Sequence, residues 1–207
     1  MKMRNIIPAL VLTLCLGLMG CDFGEVEQGR CVAYDANSKT VTIVMDMAHD
    51  PNYKDKDVAK TSKVPVYAKD SKIIQFVLPA DPKECGPEPV AGGRVMFDLE
   101  KGIVLLYDAE AKAIEEVQVE FLSKEKMKPS DPRLKGKKFP EINKTEKTVQ
   151  EYSKRLETLV TFKIPDDKDR PDEVWTRGDE VRLYYKENAK HQALRFMNIS
   201  KTNIYKR

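Results

Sequence analysis

Tyr34-Asp35-Ala36-Asn37-Ser38-Lys39-Thr40-Val41 returns further along the chain as Tyr107-Asp108-Ala109-Glu110-Ala111-Lys112-Ala113-Ile114. In both stretches an aromatic residue and an aspartate precede a short polar run, and a β-branched residue follows it. Asp, Asn and Ser favour turns because their side chains bond the local backbone, whereas Thr, Val and Ile suit a pleated, half-buried strand. Each stretch therefore predicts a β-hairpin. The first is framed by strands at residues 30–34 and 40–47.

The repetition extends outward. Phe76-x-Leu78-Pro79-x-Asp81 answers Phe162-x-Ile164-Pro165-x-Asp167, an offset of 86 (162 − 76), and the same offset pairs Gly92 with Gly178 and Val95 with Val181. Tyr185-x-x-x-Ala189-Lys190 is a weaker third copy of the hairpin. Chance likeness among short β segments is the competing explanation, because each match is a handful of identities. As a repeat, the pattern is a hairpin, a Phe-bearing strand stopped by proline and a Gly-led strand, used twice. The predicted fold is all-β, with OB/SH3-like barrel strands in an internally repeated arrangement. Tyr107 belongs to both units, at about 29–107 and 103–200, and no Gly/Ser/Pro joint separates them. That favours a single β-rich domain over residues 29–207.

Further strands are predicted at 64–68 and 73–78 (a second hairpin), 94–99, 103–107, 113–122, 159–164, 179–185 and 193–199. Glu100-Lys101-Gly102 supplies a tight turn with its glycine placed for positive φ. Residues 50–63, 79–89 and 123–144 read as loops. Val149, Tyr152 and Leu156 recur at helical spacing and predict one short helix near 146–156.

Near the start, Leu18-Met19-Gly20-Cys21 resembles the lipobox of bacterial lipoproteins, where the signal is cut before the cysteine and the new terminus is acylated. Lys2 and Arg4 precede an apolar run from Ile6 to Met19, the charged-then-apolar order of a secretory signal. That run is shorter than the about 20 residues that span a bilayer. Residues 1–20 are thus expected to be a lipoprotein signal peptide, Cys21 the lipidated residue, and 21–28 a polar tether reaching about 25 Å at most. The expected location is the cell envelope, anchored by lipid and facing the periplasm. Asp22 resembles the inner-membrane retention signal of enteric bacteria and tilts that expectation towards the inner membrane. The membrane is the first expected partner and a protein of the cell envelope the second.

Charge narrows the partners. The chain has 36 Lys+Arg against 33 Asp+Glu, and two of those cations lie in the signal, so the remainder is nearly balanced. No nucleic-acid partner is inferred. With 33% charged and 41% hydrophobic residues, the composition suits a folded, heavily charged surface rather than disorder.

Cys31 and Cys85 are the cysteines left after Cys15 and Cys21 are assigned to signal and lipid. An even pair in an exported chain predicts a disulfide, worth about 4 kcal/mol for a loop of that length. Two unpaired buried thiols are the alternative. Met45-Asp46-Met47-Ala48-His49 would, on an extended strand, place Met45, Met47 and His49 on one face. Thioethers and imidazole there suit Cu(I) or Ag(I). The pattern resembles periplasmic copper chaperones of cation-efflux systems, although the Trp-x-x-Met-x-Met run of those proteins is absent. The same parity continues Val41 and Ile43, so methionine as core filler competes with metal binding.

His49 and His191 are the only histidines, and neither belongs to a His-x-x-x-His pair. No Gly-x-Ser-x-Gly elbow and no phosphate-cradling glycine loop occurs. The acidic run Asp166-Asp167, Asp169, Asp172-Glu173 around Arg170 lacks the ligand spacing of a calcium loop. Neither catalytic residues nor a cofactor are expected. From Cys21-Asp22-Phe23-Gly24 through Gly29-Arg30 and the Tyr-Asp-Ala hairpin, the chain resembles an uncharacterised lipoprotein family of sulfate-reducing bacteria. That resemblance implies a lipoprotein of unknown function and carries over no catalytic residue. The expected role is a non-enzymatic, lipid-anchored binding or assembly module, with a periplasmic Cu(I)/Ag(I) carrier as the alternative.

Overall fold

In the computed structural model, which describes residues 24–50, 65–154, 156–168 and 170–202, turn chemistry sets the hairpins. Asp35 accepts hydrogen bonds from the backbone of Asn37 and Ser38, and Asp108 accepts them from Glu110 and Ala111. Asp98 does the same for Glu100 and Lys101, and Asn143 for Thr145 and Glu146. Four residues after each of these side chains the backbone turns left-handed, at Lys39, Lys112, Gly102 and Lys147. An Asx side chain organises each turn, and the left-handed residue returns the chain into the next strand.

Twelve strands follow: β1 Glu25–Asp35, β2 Thr40–Met45, β3 Ile73–Val77, β4 Arg94–Asp98, β5 Ile103–Asp108, β6 Ala113–Gln118, β7 Glu120–Lys126, β8 Glu141–Asn143, β9 Thr148–Ser153, β10 Thr158–Lys163, β11 Glu180–Tyr185 and β12 Ala193–Asn198. They form three antiparallel sheets with orders β12-β11-β1-β2-β3, β4-β5-β6 and β7-β10-β9-β8. The all-β expectation holds, but no barrel closes. In the first sheet the edges meet at a single bridge, Val77 to Gln192, where the Val77 N–H donates to the His191 carbonyl at 2.8 Å.

The middle sheet is buried on both faces. Val104 and Leu106 of β5 pack with Val149, Phe162 and Trp175 on the third-sheet side. Leu105 and Tyr107, one residue out of phase, pack with Val32, Val44 and Tyr67 on the first-sheet side. This explains why Ile103-Val104-Leu105-Leu106-Tyr107 is an unbroken apolar run, as a strand covered on both faces requires. A separate core of Cys31, Val41, Ile43, Phe76, Leu183 and Phe196 fills the curl of the first sheet.

The two Gly-led strands leave their own halves. β4, which follows β3 in sequence, pairs with β5 of the second hairpin, whereas β11 pairs with β1 of the first. They cross where Gly93 and Arg94 bridge to Arg177. There Gly92 and Gly178 are pressed together, and a Cβ on Gly178 would lie 2.9 Å from the Gly92 nitrogen.

Several expectations are corrected. The helix near 146–156 is absent: residues 148–153 are β9, and the only α-helix among the described residues is the single turn α1, Asp172–Trp175. The true period is two, with Val149 and Glu151 both buried. Glu151 disguised it, because a charged residue on the inward face reads as an outward one. The tether is also shorter, since Glu25 to Arg30 pair with Tyr185 to Glu180. Residues 65–68 form no hairpin with 73–78: Val66 bonds the Asp46 carboxylate, and β3 pairs with β2. Residues 1–23, including the stretch expected to be a signal peptide, Cys21 and Asp22, lie outside the described residues, as do most of the 50–63 loop and Asp169.

Candidate anion-binding cleft

The crossing of β4 and β11 places charge where a β protein ordinarily keeps none. Arg94 opens β4 and Glu180 opens β11, and both are buried, at 1% and 7% exposure. Arg30, 4% exposed, is the cross-strand partner of Glu180 in the β1–β11 register, with Nη2 at 2.9 Å from its carboxylate. The Tyr67 hydroxyl donates to the same carboxylate at 2.6 Å. Arg94 reaches out of the middle sheet to Glu151 of β9 at 2.6 Å, and its Nε donates to the Trp175 carbonyl at 2.9 Å. Each guanidinium also lies over an aromatic ring: Arg30 is 5.4 Å from the centre of Tyr67, and Arg94 is 5.2 Å from that of Phe97.

A third arginine completes the group. Arg177, from the bridge between the crossing strands, lines a cavity of about 230 Å³ with Arg30, Arg94, Tyr67, Phe97 and Leu156. No carboxylate or carbonyl among the described residues pairs with its guanidinium. Arg177 is exposed at the mouth, unlike the buried Arg30 and Arg94. Partial desolvation there, and then the charge of Arg30, hold its pKa below the usual arginine value. Desolvation lowers that of Arg94 in the same way, against the opposing pull of Glu151. Burial and the Glu180 charge push the Tyr67 hydroxyl upward, which keeps it a donor.

Satisfaction of these donors is incomplete. Arg30 spends Nη1 on the Gly178 carbonyl and sets Nη2 2.9 Å from Glu180 Oε2, and neither its buried Nε nor that oxygen has a hydrogen-bond partner among the described residues. Arg94 spends Nε and Nη2 only. Among the described residues, three guanidiniums therefore face two carboxylates, with donors to spare in a partly desolvated cleft. Such an arrangement favours an anion, since a charge-assisted bond gains where water is excluded.

A larger hollow of about 540 Å³, lined by Lys144, Lys147, Arg170 and Asp172, is the weaker candidate. Its cations are already matched: Lys144 with Asp172, Lys147 with Asp166, and Arg170 with Asp108 and Glu115.

The residues singled out from sequence do not come together here. β2 ends at Met45, which is buried, and Met47–His49 form one turn of 3₁₀ helix capped by Asp46. The strand face expected to align Met45, Met47 and His49 therefore does not exist, and the exposed His49 lies 3.8 Å from Asp46. Among the described residues no group of three or more His, Cys, Asp and Glu is placed to hold a metal ion. Cys31 and Cys85 are free thiols rather than a disulfide. Cys31 points into the first core, where burial pushes its pKa up to about 12, and the Cys85 thiol turns to the Pro79 carbonyl.

The arginine cleft was missed because its members are spread from Arg30 to Glu180. A signal was present. The offset that pairs Gly92 with Gly178 and Val95 with Val181 also sets Arg94 against Glu180, so opposite charges occupy the same inward position after the two glycine segments.

The fold and cleft define an all-β protein of three antiparallel sheets with a guanidinium-lined cleft. Residues 22–207 match the family described as a domain of unknown function (DUF4881), and the chain belongs to that family. Comparisons with curated proteins and with solved structures gave no match.

Proposed function

We propose that this protein is a non-enzymatic binding module, held by lipid on Cys21 at the periplasmic face of a membrane, that captures an anionic group in the cleft of Arg30, Arg94 and Arg177. The observation that carries the binding reading is Arg177. It lines a cavity beside two arginines already matched to carboxylates, and no ion pair or hydrogen bond among the described residues joins its own guanidinium to a carboxylate. The lipid anchor rests on the lipobox-like Leu18-Met19-Gly20-Cys21 and the signal-like stretch before it. A binding role suits the chemistry at the cleft. Guanidiniums orient and hold anions, and both carboxylates are engaged by arginine, so neither is free to act as a general base. The inner membrane and a partner in the cell envelope remain the favoured setting.

Calorimetric titration of the full chain in detergent with inorganic phosphate and with acetate tests the cleft. Saturable binding is expected, at least tenfold weaker in Arg177→Gln. Equal affinity in that variant would remove the cleft from the reading. The anchor is tested separately: Cys21→Ala is expected to leave an uncut, unacylated precursor. A variant that is processed and fractionates like the parent would show that Cys21 is not the anchor.

A further inference from the structure

The cleft does not end at the arginines. Met96, Phe97 and Leu156 line both the arginine cavity and a second hollow of about 320 Å³, which continues past Lys126 and Thr158 along β4. β4 is an edge strand, paired with β5 alone. Beyond Arg94, the backbone groups of Val95, Met96 and Phe97 bond to no element but β5 among the described residues. Across the gap, β8 covers β9 only as far as Gln150, so among the described residues Glu151 to Ser153 lack a strand neighbour on that side as well. The gap between β4 and β9 is crossed by the Arg94–Glu151 side-chain pair instead of a backbone ladder. An open strand edge beside an apolar trough is a template for an added strand.

We propose that this groove receives the C-terminal end of an extended polypeptide, laid antiparallel on β4, with its terminal carboxylate among Arg30, Arg94 and Arg177. The inference deepens the anion-binding reading above and rests on it. Three features select this occupant. Among the described residues, three guanidiniums against two carboxylates leave room for one negative charge, which suits a carboxylate better than a multiply charged phosphate. Arg30, which lines the cavity, has a buried Nε without a hydrogen-bond partner among the described residues. The walls beyond it, Val95, Met96, Phe97 and Leu156, are apolar and follow a strand edge, which suits alternate side chains of a peptide more than a compact small acid. Direction follows from placement: β4 runs away from the arginines from Arg94 to Asp98, so a chain ending at the arginines runs against it.

Fluorescence polarisation with the full chain in detergent, using an N-terminally labelled pentapeptide Thr-Val-Thr-Val-Phe, tests the proposal. The free acid is expected to bind at least tenfold tighter than its C-terminal amide, and that gap should close in Arg177→Gln. Arg177→Lys, which keeps the charge, should restore part of it. A peptide with one backbone nitrogen methylated should lose about tenfold while keeping its carboxylate. Equal binding of acid and amide, or of methylated and parent peptide, would overturn the proposal. So would a peptide no tighter than propionate, and in that case Arg177-dependent phosphate or acetate binding would leave the simpler anion site standing. If neither peptide nor small anion binds, both readings fall together.

Discussion

Glu151→Ala is expected to destabilise the protein by about 3–5 kcal/mol, the range for removing one partner of a buried ion pair. Arg94 is 1% exposed, so losing Glu151 strands a guanidinium whose pKa desolvation already lowers. Its remaining partner would be the Trp175 carbonyl, a dipole rather than a charge. The double variant Arg94→Met/Glu151→Leu should recover much of the loss, because apolar side chains of similar size replace both charges at once. Urea unfolding of the three proteins decides the matter. A loss below about 1 kcal/mol in the single variant would mean that the guanidinium finds water without cost.

Gly178→Ala is expected to cost about 3 kcal/mol, the upper part of the range for forced overpacking. A Cβ at that position would sit 1.8 Å from the Cys31 carbonyl oxygen, and the obstacle is backbone, not a side chain that can swing away. Relief requires moving β1 from the start of β11. That would strain two hydrogen bonds, from the Cys31 N–H to the Asp179 carbonyl at 2.8 Å and from the Gly92 N–H to the Cys31 carbonyl at 3.2 Å. The same shift would move Arg30 relative to the Gly178 carbonyl it bonds, so the variant should also weaken anion binding at the cleft. A urea midpoint close to that of the parent would show that the strands cross with slack the structure does not contain.

These two sites mark the boundary between local and tertiary information. The hairpins were legible because their causes are local. Asp35 and Asp108 bond backbone groups two and three residues ahead, so the turn is written within one short stretch. Gly102 has the positive φ expected of it. The same Asx rule at Asn143, with Lys147 left-handed, marks the β8–β9 hairpin and argues against the helix predicted there. Its signal was present but outweighed by the spacing of Val149, Tyr152 and Leu156.

By itself, the sequence determined the all-β class, the first hairpin and the pairing of glycine segments 86 residues apart, because turn residues, strand composition and repetition act over short ranges. Only the tertiary structure decided that the Gly-led strands exchange halves, that β2 stops at Met45 before the metal-like face can form, and that Cys31 and Cys85 remain apart as thiols. The arginine cleft belongs to the same class. Arg30, Arg94, Glu151 and Glu180 are inward-facing residues that ordinary alternation reads as solvent-facing, and only the crossing of strands distant in sequence brings them together.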